Sequence, residues 1–154
     1  SGNGNTSATP EVLVAIGGLA VKLGAADITE ITFVTTAFDK SAGGNIDVLV
    51  RFNEAVDVTG TPRVSITNGN QGSGSGRGPH LANYLSGTGT NELTFRCTIA
   101  AANAATNADD VLVIGTNATA LNGGTIKDAG TTTVSTITNA AGIGTAAGSI
   151  TVVA

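Results

Sequence analysis

The sequence has no tryptophan and no methionine, and only one tyrosine and four phenylalanines among 154 residues. A core built from it must therefore be filled by Val, Ile, Leu and Ala, side chains that suit a pleated surface. Without tryptophan and with a single tyrosine there is no aromatic platform on which sugars could stack. One histidine, His80, excludes a metal cluster built on several imidazoles. The one cysteine, Cys97, excludes an intrachain disulfide and points to assembly in a reducing compartment. Charge is scarce as well, since Asp, Glu, Lys and Arg make up 12% of the chain and the net charge is −4. That balance argues against nucleic acid, which requires clustered Lys and Arg, and against anionic membranes. No positively charged segment opens the chain, so no signal peptide is expected. The longest apolar run, Val12 to Val21, contains Gly17-Gly18 and is too short to span a bilayer.

What is abundant is Gly, Ala, Thr and Asn, with 22 glycines. Glycine and β-branched residues are weak helix formers, so strands and turns are favoured. The clearest signal lies in residues 45–52. There Ile46, Val48, Val50 and Phe52 alternate with Asp47, Leu49 and Arg51, the period of two that places side chains on opposite faces of a strand. Residues 92–99 repeat it, with Leu93, Phe95, Cys97 and Ile99 on one face and Thr94, Arg96 and Thr98 on the other. Two such strands need a partner layer over their apolar faces, which predicts an all-β sandwich.

Residues 1–9 are small and polar. Residues 10–24 admit two readings. Thr9-Pro10-Glu11 resembles a helix start closed by Gly24, but Gly17-Gly18 would sit mid-helix. A hairpin turning at Gly17-Gly18 instead gathers Val12, Val14, Ile16, Leu19, Val21 and Leu23 on one face. The hairpin or an extended arm is favoured, and those six residues are the candidate partner-binding set. Further strands are expected over 28–36 with Ile31 and Phe33 inward, 63–67 with Val64 and Ile66 inward, 80–85, 111–114, 134–138 and 149–153. The expected division is an arm over 1–27 and a body over 28–154. Residues 68–79 form a glycine-rich loop that lacks the Lys-Ser/Thr ending of a phosphate loop.

Catalytic chemistry is hard to place. His80 is expected at an exposed loop edge, and no serine lies in a nucleophile-elbow pattern. Asp39, Glu54, Asp57, Asp109, Asp110 and Asp128 are the oxygen donors available to a hard cation, but their spacing matches no known calcium loop and they are expected to be solvated turn residues. Asn5-Thr-Ser7 and Asn117-Ala-Thr119 match the glycosylation sequon, as chance allows in an Asn/Thr-rich chain. No cofactor is expected.

The run Asn45 to Thr67 carries a strand, the corner Phe52-Asn-Glu-Ala-Val56, the break Gly60-Thr-Pro62 and a second strand. It resembles bacterial immunoglobulin-like and cadherin-like repeats of large surface proteins. The likeness continues through Tyr84–Phe95 and Leu121–Asp128, covering about residues 28–130. The chain also resembles structural proteins carried by marine cyanobacterial viruses. The resemblance implies an immunoglobulin-like β-sandwich and a non-enzymatic, structural role. A lone domain with an apolar N-terminal segment and an Ala/Gly/Thr-rich tail fits a capsid decoration or cement protein. Such a protein would assemble in the host cytoplasm and dock on the major capsid protein or on neighbouring copies of itself. The alternative is a secreted adhesion or filament module at a bacterial surface.

Overall fold

A computed structural model describes residues 24–69, 78–102, 106–108 and 110–154. Among these residues nine strands and one short helix follow in order: β1 (Ile28–Phe33), β2 (Phe38–Asp39), β3 (Gly44–Thr59), β4 (Arg63–Gly69), β5 (His80–Ser86), β6 (Thr90–Ile99), β7 (Val111–Ala120), β8 (Thr125–Asp128), α1 (Ala141–Ala146) and β9 (Ser149–Val153). They join in one curled sheet of order β1-β3-β6-β5-β4-β7-β9-β2, with β8 pairing the far end of β3. All pairings are antiparallel except β2 with β9. The protein is therefore all-β.

The alternation read in the sequence becomes the core. Ile46, Val48 and Val50 are fully buried, and Phe52 nearly so. Across the β3–β6 ladder Val48 faces Phe95 and Val50 faces Leu93, so the two apolar faces lie side by side. Ile31, Phe33, Val64 and Ile66 are buried as expected. Tyr84 meets Phe95 edge-on, with ring centroids 6.0 Å apart and planes at 74°, an arrangement that adds to simple burial. On the outer face, Arg51 lies between Glu30 at 2.7 Å and Glu92 at 3.3 Å, tying β1, β3 and β6 together. Arg96 grips Asp47 with two 2.7 Å bonds.

Register fixes the two ends of the body. At one end lie the 40–43 turn and the chain on either side of 70–77 and 103–105, because Gly44 pairs Ile99 and Asn68 pairs Leu112. At the other lie the 60–62 break, the 87–89 turn and the 121–124 turn. Gly87 adopts φ +117, and a side chain there would lie 2.1 Å from the Glu92 carbonyl, so this turn requires glycine.

Three features depart from the sequence reading. The stretch 134–138 is not a strand. It makes only isolated bridges, Lys127 to Val134 and Asp27 to Thr136, and Val134 is 56% exposed. It crosses between β8 and the start of β1 as a strap, too brief on either side to form a ladder. Strand β8 lies outside the stretches expected to form strands. Helix α1 gave no signal, since its AGIGTA sequence has neither a side-chain cap nor charges in its end turns. Tertiary packing holds it. Gly144 sits so close to β7 that a side chain would lie 2.4 Å from the Ile114 carbonyl, and α1 also packs on β1. Helix and strap thus cover sheet edges that would otherwise be open to pairing.

Candidate functional site

The six residues Val12, Val14, Ile16, Leu19, Val21 and Leu23 lie outside the described residues, as do 70–77 of the glycine-rich loop and Asp109. What the structure does place is a polar cluster at the loop end of the body. His80 opens β5 and is 6% exposed, so the expected loop-edge position is corrected: its ring is buried beside Asn68 of β4 and near Asp110, just before β7. The Asn68 amide nitrogen lies 3.3 Å from His80 Nε2 and 3.0 Å from Asp110 Oδ2. With Asn68 donating, Nε2 carries the lone pair and the ring is neutral. Burial pushes the His80 pKa down, and the nearby Asp110 charge opposes this.

Asp110 is 1% exposed rather than solvated. Its Oδ2 also accepts the Asn107 backbone N–H at 2.8 Å, while Asn107 Oδ1 accepts Lys40 Nζ at 3.0 Å. The cluster therefore stitches the β2–β3 turn to the chain around 107–110. Polar groups buried in low dielectric need such partners. No serine hydroxyl joins His80 among the described residues, and the ring's bond to an amide orients it without preparing a nucleophile.

The other acidic candidates are dispersed. Asp39 Oδ1 accepts Ser41 Oγ at 2.6 Å and its backbone N–H at 2.8 Å, bonds that lower its pKa. Asp57 accepts the Gly130 N–H, and Glu54 is half-buried. Asp128 is a correction, being 5% exposed. Its Oδ1 accepts the Ala26 N–H at 2.8 Å and Ser135 Oγ at 3.1 Å, pinning strap and first strand to β8. Among the described residues no group of three or more His, Cys, Asp or Glu side chains could hold a metal ion. No helix among them is long and apolar enough to cross a membrane. Cys97 is buried on the inner face of β6, and burial pushes its thiol pKa up, which disfavours the reactive thiolate.

A second buried amide carries no signal in the sequence. Asn139 is 2% exposed. Its Oδ1 accepts the Ala118 N–H at 2.9 Å, and its Nδ2 donates to Gly115 O at 2.9 Å and Ala140 O at 3.2 Å. Asn117, at φ +50, answers with Oδ1 to the Asn139 N–H. The sequon Asn117-Ala-Thr119 is thus part of a latch between β7 and the strap, with the Thr119 hydroxyl buried.

The arrangement organises backbone: each polar cluster ties one segment to another. Compared with known proteins, the chain matches no family model, no curated protein and no solved structure.

Proposed function

We propose that the protein is a non-enzymatic virion component, a decoration or cement protein that docks on the capsid surface, and that its curled sheet is an immunoglobulin-like β-sandwich. The observation that carries this reading is the polarity of the body. The chain comes in from residues 1–23 at the end where Ala26 and Asp27 meet Asn53, Asp128 and Thr136. The ends of β4 and β5 that flank residues 70–77 lie at the opposite end. One end can then be held by the apolar Val12, Val14, Ile16, Leu19, Val21 and Leu23 while the other faces outward. Strand addition or burial against a neighbouring subunit is the chemistry such a segment offers. A body knit by buried amides, with little surface charge, suits passive attachment to the major capsid protein or to copies of itself. Neither nucleic acid nor membrane is a partner in this reading.

The test is co-sedimentation with capsids lacking the protein. The full chain should pellet with them, and a chain lacking residues 1–23 should stay in the supernatant with its β-sheet circular dichroism unchanged. Equal pelleting of both would remove the anchoring role. The second reading, a secreted bacterial surface or filament module, is favoured by one observation: β1 starts opposite Phe52 and β9 ends beside Asp39 at the other end of the body, as a module linked in series requires. A capsid-bound fraction and a cell-surface fraction distinguish the two.

A further inference from the structure

We infer that the body is built to carry tension along its strands, whichever surface it serves. The chain reaches β1 at the level of Phe52, which pairs Ile28. It leaves β9 beside Phe38 and Asp39, which pair Val152 and Val153 at the opposite end. The roughly nine residues of β3 between Gly44 and Asn53 set these levels about 30 Å apart. Both terminal strands point along the line joining the two ends. Strand β1 runs from its attachment toward the loop end, antiparallel to β3. Strand β9 runs toward its exit, held by β7 on one side and β2 on the other.

Pulling the ends apart therefore slides β1 along β3 and β9 along β7. Ladder hydrogen bonds lie across the strand direction, so a sliding load falls on all of them together. A load applied from one end would instead open them in turn, each bond contributing only about 1 kcal/mol net. Both attachments are reinforced where the load arrives. At the first, Ala26 N–H binds Asp128, Ala26 O accepts Thr136 N–H, and Asp27 and Asn53 exchange bonds. At the second, Val153 O accepts Lys40 N–H, and Val152 N–H binds Asp110 O. Arg51 adds a side-chain tie across β1, β3 and β6 between Glu30 and Glu92.

Single-molecule force spectroscopy on the full chain tests this. One set of molecules carries handles on the two chain ends. A second carries one handle on Ser41→Cys and one on the C-terminus, both at the loop end, where Lys40 already lies beside Val153. Forced unfolding reports the barrier along the pulled direction, and the contour-length gain shows that each tethered molecule was folded. End-to-end pulling should need a several-fold higher force than Ser41-to-C-terminus pulling at the same loading rate. Equal forces, or a lower force end to end, would overturn the inference. A capsid-binding result leaves it untouched, because the two readouts share no partner.

Discussion

Replacing Asn139 by Ala removes the centre of the latch between β7 and the strap. The Ala118 N–H, on a residue only 6% exposed, loses its acceptor, and Gly115 O loses a donor. Ala140 is exposed and its carbonyl can turn to water. A buried backbone group left without a partner costs about 1–3 kcal/mol, so one full and one partial loss give about 2–4 kcal/mol. For a chain of this length that corresponds to a fall of roughly 4–16 °C in melting temperature. Urea unfolding followed by circular dichroism measures the energy, and amide hydrogen exchange at Ala118 locates it. Asn117→Gly is the comparison: it removes one bond from an exposed side chain, keeps the φ +50 backbone unstrained, and should cost about 1 kcal/mol or less. If Asn139→Ala loses under about 0.5 kcal/mol, the range of neutral surface changes, the latch does not hold the strap and this reasoning fails.

Other substitutions probe other parts. Phe95→Ala empties the centre of the sheet's inner face, where Phe95 is fully buried against Tyr84 and beside Val48, and should cost about 3–5 kcal/mol by urea titration. Gly144→Ala drives a methyl into the Ile114 carbonyl and should cost about 1–3 kcal/mol, with α1 amides exchanging faster than in the parent. For His80 the folded pKa lies below the unfolded value of about 6.5, so the unfolded state binds more protons on acidification. Stability is then lost as pH falls below about 6.5, and the parent should lose more of its urea midpoint between roughly pH 7.5 and 5.5 than His80→Gln does. Parallel pH profiles would show that His80 burial has no such effect.

The sheet was legible where side chains alternate with a clear period. Val48, Val50, Leu93 and Phe95 each declare a face, and register then follows from pairing like faces. Helix α1 and the strap were illegible for a physical reason: their Ala, Gly and Thr residues have little local preference, and packing against β7 and β1 decides their structure. His80, Asp110 and Asp128 were misplaced because a polar residue in a turn-rich stretch looks solvated until its partners are known. Asn68 and Asn139 had no signal at all, since one Asn among many carries no pattern; only the fold brings each to the buried groups it serves. The residues expected to bind a partner, Val12 to Leu23, stand out in the sequence as the apolar segment that the body's own alternation does not require.

If the proposed function is right, the chain is held in place on a particle. The direct measurement is quantitative mass spectrometry of purified virions beside the envelope fraction of the host cell. The chain should then be found in virions in a fixed ratio to the major capsid protein and depleted from the envelope. Recovery in the envelope or the culture medium, with none in virions, would contradict it.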